Sequence, residues 1–199
     1  MANIVELTNQ ALAILHVEAT LQAIPDGSAV GKVASLFVPL ARQQILRDYP
    51  WQFATRTVTL VESADPPPPK WQYRYGYPTD CLAARELLVA GMTNDHPAIP
   101  FHVEQTSDGL NLSILTDEGD AQLRYIVMVE DTDKWPPDAQ VALRWLLAVE
   151  MAPALKVSAA MIASLRDLYR YHLAAAYTND GLTREDKPMA TPSSIQARW

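Results

Sequence analysis

Cysteine is nearly absent. Among 199 residues only Cys81 carries a thiol, so no intramolecular disulfide can form and no cysteine-rich zinc site can be built. Histidine is scarce as well: His16, His96, His102 and His172 are not spaced as metal ligands, and no HExxH-type motif occurs. Neither a metal nor any other cofactor is expected. No Gly-x-Ser-x-Gly elbow marks a serine nucleophile. Residues 27–32 superficially suggest a phosphate loop but lack its glycine-lysine-serine ending, so a turn and a helix start are expected there. Apolar runs stop well short of the ~20 residues that span a bilayer. Met1-Ala2-Asn3-Ile4-Val5-Glu6 has neither the basic segment nor the apolar core of a secretion signal. Positive charge is in deficit: 16 Lys and Arg against 23 Asp and Glu leave a net charge of -7 and a pI near 5.0. Ordinary duplex binding, which needs a basic patch or stripe, is disfavoured. The expectation is a soluble protein made in a reducing cytoplasm, without membrane contact.

What remains is enough for a core. With 49% hydrophobic and 20% charged residues the chain reads as globular, one domain of two lobes. Residues 3–48 are helical in period: Ile4, Leu7, Ala11, Ile14 and Leu15 share a face, with Glu6, Asn9 and Gln10 opposite. Pro25-Asp26-Gly27-Ser28 is a turn, and Ser28 is placed to cap a second helix. Val30, Val33, Phe37, Ala41 and Ile45 form its stripe, and Pro39 within it predicts a kink or a break. Residues 55–130 are strand-like, with a stiff proline run at 66–69 and an Asp-Gly step at Asp108-Gly109 that marks a hairpin. A small antiparallel meander is expected.

Trp135-Pro136-Pro137-Asp138 then opens a helix, proline suiting a first turn. Residues 139–152 are apolar almost all round, interrupted only by Gln140, Arg144 and Glu150, so most sides need cover from the fold or from other subunits. Ser158 caps a last helix, with Met161, Ile162, Leu165, Tyr169, Leu173 and Ala176 on one face and Arg166, Asp167 and Arg170 turned away. Asn179-Asp180-Gly181 reads as its stop, and the polar remainder has little to bury. The fold class expected is α+β. Residues 1–54 and 131–177 form a helical bundle, residues 55–130 an inserted small antiparallel β lobe, and residues 178–199 an extended tail.

Two clusters could carry chemistry. Asp117, Glu118 and Asp120 could supply two carboxylates to a polysaccharide hydrolase, although a solvated hairpin turn explains them more simply. Trp71, Tyr73, Tyr75 and Tyr77 alternate at strand spacing, with Arg74 on the other face. Such rings could stack single-stranded nucleic acid, and a packed sheet face is the simpler account.

Tyr49-Pro50-Trp51-Gln52-Phe53-Ala54-Thr55-Arg56 joins the helical period to the strand period through a proline-aromatic step. With Tyr73-Arg74-Tyr75-Gly76-Tyr77-Pro78-Thr79-Asp80 downstream, it resembles the head-to-tail adaptors of tailed bacteriophages, the podovirus tail tubular protein A group. The likeness extends to the later helices, and Pro39 departs from it. The resemblance makes Pro50, Trp51, Phe53, Tyr75, Tyr77, Pro78 and Asp80 structural anchors. It implies a structural virion protein without catalysis: a homo-oligomeric ring of twelve subunits beneath the portal protein, at the head-tail junction, assembled in the host bacterial cytoplasm. The ring would continue the channel through which genomic DNA passes without sequence-specific binding, and would seat the next tail component, nozzle or tail tube. Ser193, Ser194, Ile195, Gln196, Arg198 and Trp199 are then the portal-docking residues, Trp199 filling a pocket and Arg198 pairing with an acid.

Overall fold

A capping box starts the first helix, α1 (Ile4–Ile14). The Asn3 side chain accepts the Glu6 amide at 3.0 Å, and Glu6 accepts the Asn3 amide at 3.1 Å. The computed structural model describes residues 2–92 and 97–182. Leu7, Thr8, Ala11 and Leu12 of α1 are buried. Thr8 is tolerated inside because its hydroxyl donates to the Ile4 carbonyl at 2.7 Å. Asn9 grips the connector that follows, exchanging hydrogen bonds of 2.8 and 2.9 Å with the backbone of Leu21.

Ser28 caps α2 (Ala29–Asp48), its hydroxyl oxygen accepting the Gly31 amide at 2.9 Å. The Asp26 carboxylate lies over the same helix start and accepts the Ser28 hydroxyl and amide, which hold its pKa below the usual carboxylate value. A Cβ at Gly31 would stand 2.0 Å from Asp26 Oδ1, so a larger residue there would displace this carboxylate. The chain's own carboxylate thus takes the position that an anion would occupy in a phosphate loop.

Of the kink or break expected at Pro39, no break occurs: the helix is continuous from Ala29 to Asp48. Pro39 sits on the exposed face, so the carbonyl that loses its amide partner can turn to water. The buried stripe is Gly31, Ala34, Val38, Ala41, Ile45 and Leu46, and Val30, Val33 and Phe37 flank it half-buried.

α3 (Pro137–Met151) is the axis of the bundle and packs against α1, α2 and α4 (Ala159–Leu182). No residue from 139 to 152 is exposed, so the fold itself covers this apolar helix. Its polar positions are committed: Gln140 donates to the Thr132 and Trp135 carbonyls at 2.8 and 3.1 Å, and Arg144 donates to Gln10 at 3.2 Å. Ser158 caps α4 as expected, accepting the Met161 amide at 3.3 Å. Asn179-Asp180-Gly181 does not stop α4, which runs on to Leu182. Tertiary bonds override the local preference: Asn179 donates to Asp138 at 2.8 Å, and Asp180 accepts the Gln52 amide at 3.3 Å. The boundary expected at 177 therefore falls inside a helix.

Among the described residues six strands form two three-stranded antiparallel sheets, so the fold is α+β. They are β1 (Thr55–Thr59), β2 (Tyr73–Gly76), β3 (Cys81–Leu88), β4 (His102–Gln105), β5 (Leu112–Thr116) and β6 (Gln122–Val127). One sheet has the order β1-β6-β3 and the other β2-β5-β4, which corrects the expected meander. Only β4 and β5 form a hairpin of sequence neighbours, around Gly109 at φ +70°. The order is mixed because the chain changes sheets just after β1. The Leu60 amide donates to the Ala121 carbonyl in the first sheet, and the Val61 carbonyl accepts the Gly76 amide in the second. Leu60, Tyr75, Leu87, Ile114, Leu123 and Tyr125 are buried in the core of the sheets. A larger core fills the bundle, and Val129 packs against both.

Pro39 yields a direct measurement. Pro39→Ala restores the missing amide on an exposed helix face and should stabilise the chain by roughly 1–3 kcal/mol. Urea denaturation of the two proteins measures the difference, and an unchanged midpoint contradicts this account of α2.

Candidate functional site at the helix-sheet junction

The last turn of any α-helix leaves carbonyls without amide partners. In α2 two of them are met by side chains from beyond the helix. The Trp51 indole N–H donates to the Ile45 carbonyl at 2.7 Å, and the Arg85 guanidinium of β3 donates to the Arg47 carbonyl. A third tie holds the helix mid-length, where Arg42 donates to the Glu130 carbonyl at 2.8 Å. Trp51 is only 1% exposed, so its N–H needed a partner and its ring displaces much water.

Aromatic rings surround it. Tyr49 meets Trp51 edge-on at 5.0 Å and stacks on Tyr177 of α4 at 4.1 Å. Phe53 lies 5.7 Å from Trp51 and 5.4 Å from Trp135, which in turn donates to the Val129 carbonyl at 3.1 Å. Pro50 is half-buried beside them. One cluster therefore joins the end of α2, the start of α3, the end of α4 and the entry to β1. Trp51 and Phe53 were expected as anchors. Tyr49, Trp135 and Tyr177 were not given that role, because nothing local in the sequence says that rings so far apart converge.

The second anchor segment meets the first. Asp80 pairs with Arg56 and accepts the Tyr125 hydroxyl at 2.9 Å, while Arg56 stands opposite Tyr125 in the β1-β6 register. Both charged groups are largely exposed, so the ion pair contributes little by itself, about 0.5 kcal/mol. Tyr75 is buried in the sheet core, and its hydroxyl donates to the Glu118 carbonyl at 3.0 Å. Tyr73 packs alongside at 6.2 Å and also lies against Gly119. Tyr77 is half-buried, with burial pushing its phenol up to about 12, and the Pro78 carbonyl accepts the Cys81 amide at 3.1 Å. Burial likewise pushes the Cys81 thiol up, away from the reactive thiolate.

Tyr75 therefore presents no open face for a base to stack on. Arg74 is on the other face, as expected, paired to Glu104 at 3.1 Å. Asp117, Glu118 and Asp120 lie on an exposed turn where Asp117 accepts the Gln72 amide at 3.1 Å. Among the described residues no group of three His, Cys, Asp or Glu could hold a metal ion, and no helix is long and apolar enough to cross a membrane. His172 stacks on Trp145 at 5.3 Å, a packing role. His96 and the candidate docking residues Ser193, Ser194, Ile195, Gln196, Arg198 and Trp199 lie outside the described residues.

A cleft of about 650 Å³ opens beside the junction, lined by Pro50, Gln52, Thr55, Arg85, Glu86 and Arg124 among others. Its charges are spoken for, Arg124 by Glu86 at 2.7 Å and Arg85 by the Arg47 carbonyl. Arg85, Glu86 and Arg124 went unmarked in the sequence because they lie on strands without a motif, whereas Pro50, Gln52 and Thr55 belong to the proline-aromatic segment already singled out. No protein-family model and no curated protein matches the chain.

The buried phenols set a pH limit on the junction. Burial raises the Tyr77 and Tyr177 pKa values from about 10 to about 12, and raises that of Tyr169 as well. The unfolded chain therefore releases these protons first, and stability falls as pH rises from 10 to 12. Tyr177→Phe should flatten that loss while leaving stability near pH 7 almost unchanged. Denaturant midpoints at pH 7, 10 and 11.5 read it, and parallel pH profiles for the two proteins contradict it.

Proposed function

We propose that the protein is a head-to-tail adaptor of a tailed bacteriophage, a structural ring subunit beneath the portal. One observation carries the reading. The two segments that bear the resemblance to that family end in Arg56 and Asp80, and those two residues meet in an ion pair braced by Tyr125. Residues 24 positions apart thus meet within one sheet, where Arg56 of β1 and Tyr125 of β6 both bond the Asp80 carboxylate at the entry to β3. A cross-tie of that kind suits a part that joins others and does no chemistry.

Surface apolarity supports the same reading. Leu36 and Leu40 of α2 are 67% and 60% exposed, and Tyr171 and Leu182 of α4 are 69% and 74% exposed. A ring needs two different patches, since each subunit offers one face to the neighbour ahead and another to the neighbour behind. α2 and α4 supply two, whereas α3, with no exposed residue after Asp138, supplies none. In the assembled particle the ring continues the DNA channel from the portal to the next tail component, and residues 193–199 reach the portal. The net charge of -7 keeps the DNA from adhering to the wall.

Light scattering behind a sizing column, on the protein alone and with portal, tests the assembly. The expected species is a multi-subunit ring, formed spontaneously or on meeting portal. Tyr171→Asp combined with Leu40→Asp should reduce ring formation at least tenfold with little loss of folded stability. Deleting residues 193–199 should weaken portal attachment and leave the fold intact. A chain that stays monomeric with portal at every concentration contradicts the proposal.

A further inference from the structure

We infer that the proline run of residues 66–69 is a docking ridge for a partner protein that holds polyproline in an aromatic-lined groove. This does not rest on the adaptor reading. The run sits in a loop longer than the fold needs. Glu62 bridges Tyr75, and the Ser63 amide donates to the Arg74 carbonyl at 2.8 Å, so residues 61–63 already lie antiparallel to β2. A turn of about two to five residues would close such a pair. Residues 64–72 make a wider excursion instead, and Pro66, Pro67, Pro68 and Pro69 lie at its centre.

Proline fixes its own φ and drives the residue before it toward extended backbone. Pro66, Pro67 and Pro68 each precede another proline, so they take the polyproline II form, with about three residues per turn. No helix or turn interrupts them. Pro69 and Lys70 then bring the chain back, the Trp71 amide donating to the Pro68 carbonyl at 2.9 Å. Burial follows the same period: Pro66 and Pro69 are exposed, and Pro67 and Pro68 between them are half-buried. Two prolines three apart thus form one outward ridge, about 9 Å long.

The ridge is set before anything binds. Its base is paired to the sheet, the Gln72 amide donates to Asp117 at 3.1 Å, and the Lys70 ammonium stands over the Trp71 ring at 5.2 Å. With the prolines stiff as well, a partner has little chain entropy to remove. The carbonyls of Pro66, Pro67 and Pro69 take no backbone amide of the described residues. A fitting groove therefore packs rings against the proline faces and turns indole or phenol donors to these carbonyls. Asp65 and Lys70, both exposed, give the two ends of the ridge opposite charge and so set the direction in which it lies. A second copy does not supply that groove. Among the described residues Tyr171 is the one exposed aromatic side chain, so no two rings stand open side by side. The partner is a different protein.

Isothermal titration of the full chain with a purified SH3 domain and a purified WW domain, both of which use such grooves, tests this. At least one of the two should bind saturably. Replacing the outward pair together, Pro66→Ala with Pro69→Ala, should weaken that binding roughly tenfold. Replacing the inward pair, Pro67→Ala with Pro68→Ala, should weaken it less than about threefold. Each double variant removes two prolines, so lost stiffness is common to both and the difference between them reads the ridge. Leu40→Asp combined with Tyr171→Asp, which alters the helix surfaces only, should bind as the parent does. Absence of saturable binding to either domain overturns the proposal, as does an equal loss from the two proline pairs.

Discussion

The end of α2 needs hydrogen-bond donors, and Trp51 answers with its indole N–H while burying almost the whole of its ring. Losing that bond would strand the N–H in an apolar site, at about 1–3 kcal/mol, in addition to the cavity left by the ring. Because Trp51 also touches Tyr49, Phe53 and Tyr177, its position sets where α4 ends and where β1 begins. The Arg85 contact to Arg47 then fixes the adjoining sheet relative to the same helix terminus. The junction is therefore a capping problem solved with sheet residues, and bundle and sheets share one hinge point.

Local signals in the sequence were legible where the backbone itself is the partner. Ser28, Ser158 and Pro137 mark helix starts because a cap or a missing amide acts within three or four residues. Asp108-Gly109 marks the hairpin for the same reason. Signals failed where distant groups decide. Asn179-Asp180-Gly181 stays helical because Asp138 and Gln52 bond to it, and neither is near in sequence. Strand order was hidden because the chain switches sheets between Leu60 and Val61, a step with no residue signature. Of the candidate site, the two aromatic segments were visible but their meeting through Arg56, Asp80 and Tyr125 was not.

α3 shows how an apolar helix can mislead about assembly. Its residues ask for cover from the fold or from another subunit, and α1, α2 and α4 leave no position from 139 to 152 exposed. Burial there serves the fold. Any contact between copies has to use what is left outside, and α4 is the notable case. Of its 24 residues only Leu165 and Ala176 are buried, while Leu168, Tyr171 and Leu182 lie exposed at spacings that share a helix face. A long helix held on one narrow side is stabilised more by its neighbours than by its own propensity.

Charge placement bears on how such a molecule would meet DNA. Arginine is the residue that most often clamps phosphate, through its planar fork of donors. Here six arginines each make a contact inside the fold: Arg42 with the Glu130 carbonyl, Arg85 with the Arg47 carbonyl, Arg56 with Asp80, Arg74 with Glu104, Arg124 with Glu86 and Arg144 with Gln10. Each bond that a guanidinium makes inside the fold is one it does not offer to a phosphate. Tight duplex binding depends on releasing counterions with unengaged cations, and its strength grows with their number. In the proposed ring, a chain that commits these six arginines within its own fold would present a wall that DNA can slide past. The same bonds that tie the bundle to the sheets also keep the surface from being sticky.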